Sequence, residues 1–413
     1  MSVGFYGGLK LNRLGPTHGA APVRFVPPAV ALCLDQQPGG EVIPCVKAGD
    51  AVTKGAPVAK SDRLAWLHSP VSGKVAKTAR LRGKQYILIK NDGRGDEYPR
   101  DPFTAPLNTV SAAAITEKIR RMGVVGSFSR FPAHIKIIAA AGKAFCLVVN
   151  CVQSDPYGSF VREAVKAHAE EITMGARILA KAIGVKKVVF AIEKNERSAI
   201  NALSAAIGQD DPLITIIRPE PRYPLGEERN LLSALFGREV PAGRAPHDIG
   251  YAVFSAETVL WVYNACAEGI PVTEKYLTFG GSCFGRPKNI IAPIGSSVKA
   301  ITEFCGGISG GVLTVGGSLS GRLLSEPDGC IGKSEGLYIA LPSKTVQPGE
   351  CIHCGRCAEV CPMHLSPTEF LPGGFFIESE RKLCDGCGCC DTVCPAGISL
   401  TDAIRSCGTE NRI

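Results

Sequence analysis

Residues 351–362 read CIHCGRCAEVCP and residues 384–395 read CDGCGCCDTVCP. Both are C-x2-C-x2-C-x3-C-P, with thiols at Cys351, Cys354, Cys357 and Cys361 in the first run and at Cys384, Cys387, Cys390 and Cys394 in the second. Three thiolates at this spacing can wrap three irons of one cubane, and the fourth cysteine of each run then reaches the other cubane. The pattern predicts two 4Fe–4S clusters. One takes Cys351, Cys354, Cys357 and Cys394, the other Cys384, Cys387, Cys390 and Cys361. Zinc would ask for paired C-x2-C knuckles closing tetrahedral sites, and would leave the third and fourth thiols of each run without a role. Cys389 cannot stand in for Cys390, because it shortens one spacing to x1 and lengthens the next to x4.

Ten of the eighteen cysteines lie between Cys351 and Cys407, with the other eight scattered upstream. Disulfide frameworks spread through a fold, whereas metal sites cluster. The N-terminal MSVGFYGGLKLNRLG has no apolar core and no small-residue cleavage site, so reduced thiols in a cytoplasm are expected. Outside the two runs, Cys407 has no assigned task, while Cys283 in GGSCFGRPKN and Cys330 in PDGCIGK occupy Gly-rich settings that suit an exposed thiol. A lone cysteine is nevertheless more often a small buried apolar residue.

The chain is 413 residues long, 45% hydrophobic and 20% charged. That is globular rather than disordered, and too long for a single domain of roughly 100–200 residues. No stretch reaches the roughly 18 to 20 uninterrupted apolar residues of a membrane span; the nearest, from Ile135 to Val152, is broken by Lys136 and Lys143. Net charge is +8, and since the segment from Cys351 onward carries five Lys/Arg against eight Asp/Glu, it is at −3 and the preceding 350 residues at +11. The basic residues form no run and show no aromatic interleaving, so nucleic acid is not expected as a partner. A basic body suits acidic electron-transfer partners.

Residues 41–76, EVIPCVKAGDAVTKGAPVAKSDRLAWLHSPVSGKVA, alternate short Val-rich runs with Gly-Asp, Lys-Gly and Ser-Gly turns, which reads as tight β hairpins. Their order resembles the barrel-sandwich fold of biotinyl and lipoyl carriers. The segment where a carrier holds its modified lysine is SDRLAWLH, Ser61 to His68, and it contains no lysine. From about residue 112 to 240 the pattern changes. Buried-looking runs at Cys146–Asn150, Val185–Glu193 and Leu213–Ile217 alternate with helical stretches, which argues a parallel α/β sheet. Ligands of such sheets sit beyond the C-terminal strand ends, here Asn150 to Tyr157 and Glu193 to Asn195. Residues 248–340 are Gly-rich and strand-rich, with one helix expected near Glu257 to Glu268, and Pro342 to Gly349 reads as a linker.

Taken in order, VKAGDAVTKG, HSPVSGKV, NCVQSDPY, HAEEITMGARI, AIEKN, YPLGEERNLLSALFGREVPAG, PKNIIAPIGSSV and the double cysteine run resemble the C subunit of the Rnf electron-transport complex along nearly the whole chain. The resemblance implies an α/β multidomain protein. Its units are a barrel-sandwich β domain (1–100), a Rossmann-like α/β domain of the NADH/FMN type (110–245), a soluble-ligand-binding β-grasp (SLBB-like) domain (248–342) and a C-terminal dicluster ferredoxin domain (346–407). It implies FMN and NADH at the second unit, with Gly126, Lys136, Asn150, Asp155, Tyr157 and Glu193 as cofactor-binding residues. No catalytic side chain is singled out, and oxidoreductase activity depends on that flavin site being functional.

The family's Gly-Gly-Ala-rich cradle is here Gly126-Ser127-Phe128-Ser129-Arg130-Phe131-Pro132, with Lys136 following. Glycines let a ligand approach backbone N–H groups; Phe128 and Arg130 are expected to fill that space. Gln153, Ser154 and Asp155 also depart from the family's acidic pattern, and the Asp-Asp-Arg that usually follows the tyrosine is missing. Without a ligand, Asn150 and Tyr157 shape a turn, Lys136 is a solvated charge and Arg130 pairs with a carboxylate.

Three functions follow. The first is an electron-transfer subunit that relays electrons, from NADH through FMN where that site is retained, to other electron-transfer proteins, a reductase subunit or a membrane complex met from its cytoplasmic side. The second keeps the clusters but donates to a proline-reductase-type thiol or selenol reductase without binding NADH. The third is a docking scaffold. The expected location is the cytoplasm, at the periphery of the inner membrane where partners hold it there.

Overall fold

In a computed structural model of the chain, residues 5–208, 211–324, 329–343 and 347–407 are described. The expected linker from Pro342 to Gly349 lies partly outside them.

The N-terminal unit is two small sheets. Strands Ala29–Cys33, Ala51–Val52, Gly73–Leu81 and Lys84–Asn91 form one, and Ile43–Pro44, Pro57–Lys60 and Leu67–His68 form the other. Alternation sets which face is buried: Val30 lies opposite Ile89 and Leu32 opposite Ile87, and all four side chains are in the core. Burying each is worth about 1.5–3 kcal/mol. Gly73 has to be glycine, because a Cβ there would lie 1.9 Å from the carbonyl oxygen of Lys90.

The second unit is a four-stranded parallel sheet in the order Ile214–Ile217, Val188–Ala191, Cys146–Asn150, Tyr251–Ser255. The three strands read from the sequence are present, with helices Phe160–Ala167, Ala169–Ile183, Arg197–Ile207 and Glu228–Phe236 between them. The fourth strand moves the boundary expected at 245–248. Tyr251–Ser255 pairs in parallel with Cys146–Asn150, and helix Ala256–Tyr263 packs on Ala169–Ile183 so closely that a Cβ on Gly175 would sit 2.3 Å from the carbonyl oxygen of Val259. The helix expected for the third unit near residues 257–268 therefore belongs to the second.

The third unit is a mixed sheet of six strands. Hairpin Glu274–Gly280 with Lys288–Pro293 is followed by helix Val298–Phe304, hairpin Gly311–Val315 with Arg322–Leu324, and the central strand Leu337–Pro342. Its edge strand is Val23–Arg24, so residues assigned to the first unit complete the third.

Residues 5–24 run as an arm over the remaining units. The Gly8 N–H donates to the Val360 carbonyl at 2.8 Å, Leu9 to Tyr223 at 2.8 Å and Leu14 to Pro156 at 2.8 Å. Tyr6 stacks on His364 with ring centroids 4.0 Å apart. The C-terminal unit consists of short helices, among them Arg356–Glu359, Cys389–Val393 and Leu400–Ser406.

Candidate functional site

The two cysteine runs fold alike. Gly355 (φ 76°) precedes helix Arg356–Glu359, which carries Cys357, and Gly388 (φ 74°) precedes helix Cys389–Val393, which carries Cys390. Each left-handed step, open to glycine without strain, turns the chain so that a helix thiol faces the two loop thiols before it. The runs then exchange their last cysteines. Cys351, Cys354, Cys357 and Cys394 line one cavity, whereas Cys384, Cys387, Cys390 and Cys361 line another, with buried Cys389 beside them. Four thiols around each cavity fit a cubane. Among the described residues, no three His, Cys, Asp or Glu side chains converge on a single-ion site. Backbone N–H groups of Leu365 and Gly386 reach the sulfurs of Cys361 and Cys384, each at 3.4 Å, the kind of contact that tunes a cluster's potential.

The two cavities differ in their surroundings. The second is walled in: the Tyr223 hydroxyl donates to the Cys387 carbonyl at 2.6 Å, and a Cβ on Gly388 would meet the Leu319 carbonyl oxygen at 2.4 Å. The first is peripheral, with Cys354 exposed and Ile352 65% exposed beside it.

Against the second cavity lies a cleft of about 680 Å³ at the C-terminal end of the parallel sheet. Gly126, Phe128, Lys136, Asn150, Asp155 and Arg229 are on its walls. Cys384 and Asp385 line both the cleft and the second thiol cavity. Its volume suits a nucleotide-sized ligand.

The altered loop leaves this cleft open. Arg130 was expected to fill it. Instead it adopts φ 59° and turns away, donating to Ser334 Oγ at 3.2 Å and pairing with Glu335 at 2.7 Å. Ser127 is held by the side chains of Thr258 and Ser255, at 3.0 and 2.6 Å. Phe128 alone of the bulky replacements faces the cleft, and it is 51% exposed. Gly126 lies against Ser129, whose Oγ would sit 2.2 Å from a Cβ there and would have to rotate away.

The other expected residues separate into two groups. Asn150 shapes the floor: its Nδ2 donates to the Gly226 carbonyl at 2.8 Å and its Oδ1 accepts from the Val152 N–H at 3.0 Å. Lys136 is not a free solvated charge but pairs with Glu228 across the cleft. Asp155 is a clamp, its Oδ2 accepting from the Ser318 N–H at 2.7 Å and the Ser318 hydroxyl at 2.9 Å, while burial pushes its pKa up.

Tyr157 and Glu193 are not on the cleft walls. Tyr157 packs against Gly15 of the arm. Glu193 is buried near Arg13 and Arg162, with its pKa pushed up to about 7 by burial. Sequence reasoning took no residue from Tyr223–Arg229, although YPLGEERN was in view. Asn150 pulls that loop over the strand ends, and it brings Glu227, Glu228 and Arg229 to the cleft. Asp385 was also missed; burial raises its pKa, and its Oδ2 has no hydrogen-bond partner.

Cys283 and Cys330 are not the exposed thiols their glycines suggested. Cys283 is in the core of the third unit, with Gly311 against its sulfur, and burial pushes Cys330 up to about 12.

Three family models match the chain: RnfC barrel sandwich hybrid domain at residues 4–94, Nuo51 FMN-binding domain at 119–264, and 4Fe-4S binding domain at 344–364. The C subunit of the proton-translocating ferredoxin:NAD(+) oxidoreductase complex of Clostridium ljungdahlii is 31% identical over 357 residues, covering 83% of this chain and 78% of the relative. The C subunit of the Na(+)-translocating complex of Acetobacterium woodii is also 31% identical, covering 83% and 80%. An NAD+-reducing NiFe hydrogenase in its H2-reduced state shares the fold, with a TM-score of 0.51 and 17% identity over 73% of this chain and 61% of that one. With a barrel-sandwich unit, an FMN-binding-type unit and a 4Fe–4S unit in this order, and such relatives over four-fifths of its length, the chain belongs to the RnfC family.

Proposed function

We propose that the chain is an electron-transfer subunit that takes electrons from NADH at a flavin in the 680 Å³ cleft and passes them through two 4Fe–4S clusters to a partner. The observation that carries this reading is the shared wall. Cys384 and Asp385 face the cleft on one side and the second thiol cavity on the other. FMN bound here would turn a hydride's electron pair into single electrons, and cubanes would conduct them one at a time.

The chain's own residues supply the rest. Lys136, paired with Glu228, and Arg229, 3.9 Å from Asp385, would share their charge with a phosphate, and Asn150 fixes the floor on which the ligand rests. Asp155 ties the cleft to the third unit through Ser318. Cys384, Cys387, Cys390 and Cys361 would hold the cluster nearer the cleft. Cys351, Cys354, Cys357 and Cys394 would hold the one nearer solvent, and the exit to a partner is on that side.

The relatives are subunits of ion-translocating complexes, and this chain would serve the same place in one. Among the described residues no helix is long and apolar enough to cross a membrane, so contact with such a complex would run through partner subunits. The third unit's hairpin, helix, hairpin and central strand support a β-grasp domain of the soluble-ligand-binding type.

The test is the visible spectrum of anaerobic, reconstituted protein. A flavin band together with iron–sulfur absorption that bleaches on adding NADH is expected. Clusters that dithionite reduces but NADH leaves untouched would reject the flavin part of the reading.

A further inference from the structure

A second cavity, of about 390 Å³, shares no lining residue with the cleft. It opens between the N-terminal sandwich, the end of helix Ala112–Arg121 and the turn at Gly269–Pro271. On one side is Trp66, from the SDRLAWLH segment that carries no lysine. The indole is locked in place. Its Nε1 donates to the Ser61 carbonyl at 3.0 Å, and the Trp66 backbone N–H donates to the Arg120 carbonyl at 3.1 Å.

Three cations crowd this one ring: Lys60 Nζ at 5.0 Å from its centroid, and the guanidinium carbons of Arg121 at 5.3 Å and Arg120 at 5.8 Å. Arg120 is neutralised by Glu117 at 2.6 Å. Lys54 and Arg100, also on the cavity wall, are taken by Glu274 at 2.5 Å and Glu97 at 2.9 Å. Lys60 and Arg121 have no ion-pair partner among the described residues, although the Asp101 and Glu117 carboxylates lie close enough to feel the charge of Arg121, and Glu97 and Asp101 are on the cavity wall.

An imidazole is also on the cavity wall. His68, on the cavity wall and 6% exposed, has a buried Nδ1 with no hydrogen-bond partner. That Nδ1 is turned toward Gly123 and the Lys333 ammonium, neither of which lines the cavity, so only the rest of the ring faces a ligand. Burial, with Lys333 and Lys60 nearby, keeps this imidazole neutral and able to donate one hydrogen bond.

We propose that this cavity binds a small phosphate-bearing anion, held between Lys60 and Arg121 beside Trp66 with His68 at its base. The proposal is independent of the flavin reading. Two unpaired cations beside a rigid indole recognise a doubly charged group, and the volume leaves room for a small organic part.

Titration of the full chain with inorganic phosphate and pyrophosphate tests it, followed by calorimetry and tryptophan fluorescence. The chain has two tryptophans and Trp261 is 5% exposed, so a ligand-induced change reports on Trp66. Saturable binding is expected, weakened about tenfold by Lys60→Gln and by Arg121→Gln and abolished in the double variant. Both side chains are exposed, so an unchanged melting temperature and cluster content will show that these variants are folded. Absence of saturable binding, or binding that survives the double variant, would overturn the proposal. Phosphatidylglycerol vesicles distinguish the source of the phosphate. If the protein binds vesicles but neither free anion, and the double variant loses the vesicles, the ligand is a lipid headgroup and the small-anion form is wrong.

Discussion

Lys275 and Glu257 form an ion pair at 2.7 Å whose side chains are 0% and 1% exposed, and the same ammonium reaches the Ser127 carbonyl at 3.3 Å. The other carboxylate oxygen accepts from the Tyr276 N–H at 2.9 Å. One buried pair thereby joins the first strand of the third unit, a helix of the second, and the loop that forms the cleft's rim. Removing one partner of such a pair leaves a buried charge, which costs about 3–5 kcal/mol, whereas replacing both with apolar groups is often near neutral. Lys275→Met is expected to lose stability of that order in denaturant unfolding, and Lys275→Met with Glu257→Leu to recover most of it. Equal losses in the single and double variants would refute the coupling.

Swapped fourth ligands make a prediction about pairs of variants. Cys394→Ala should remove the same paramagnetic signal as Cys351→Ala, although 43 positions separate them, and Cys361→Ala the same one as Cys384→Ala. Low-temperature electron paramagnetic resonance of the reduced protein reads this out. Signals that instead group by run would mean that each run closes on its own cluster.

Phe128 is the one bulky loop replacement that stays on the cleft. Phe128→Gly should tighten FMN binding several-fold, measured by quenching of flavin fluorescence in the reconstituted protein. Weaker binding would show that the ring packs on the ligand instead of obstructing it.

Glu193 gives a pH signature. Its folded pKa of about 7 lies above the usual carboxylate range of about 4.3, so the fold favours the protonated form. The stability this contributes is complete below the unfolded value and is lost as pH rises through about 7. Glu193→Gln should therefore gain on the wild type between pH 5 and 8, by on the order of 3 kcal/mol, and level off above. A difference in melting temperature that is flat with pH would mean that Arg13 and Arg162 already hold the carboxylate ionised.

The grouping of eight thiols around two cavities was legible because a repeated C-x2-C-x2-C-x3-C-P spacing writes itself into local sequence. The strands at Cys146–Asn150 and Val188–Ala191 were legible because burial on both faces leaves an unbroken apolar run. Tyr251–Ser255 was not placed, since its parallel partner is about a hundred residues away and nothing in YAVFS names it. Arg130 was left between filling the cleft and pairing with a carboxylate for the same reason: Glu335, which draws it out of the cleft, is 205 positions distant. Glu193 fell at the end of a strand, as a ligand residue should, but the arm brings Arg13 to it and closes that end.

The arm also bears on assembly. Gly8 and Val360, hydrogen-bonded at 2.8 Å, are more than 300 positions apart, and Val23 pairs with Ile290 across a similarly long loop. Contacts of this span are slow to form. On a growing chain, residues 5–24 must wait while the sandwich and the parallel sheet fold behind them. Tyr6 and Gly8 find their places only when the first cysteine run, with Val360 and the His364 that follows it, has emerged. Because Gly7 lies against the Cys361 backbone and Tyr6 on His364, the start of the chain is packed on the run that supplies the second cavity's fourth thiol, so the order of the chain's ends is reversed in its assembly.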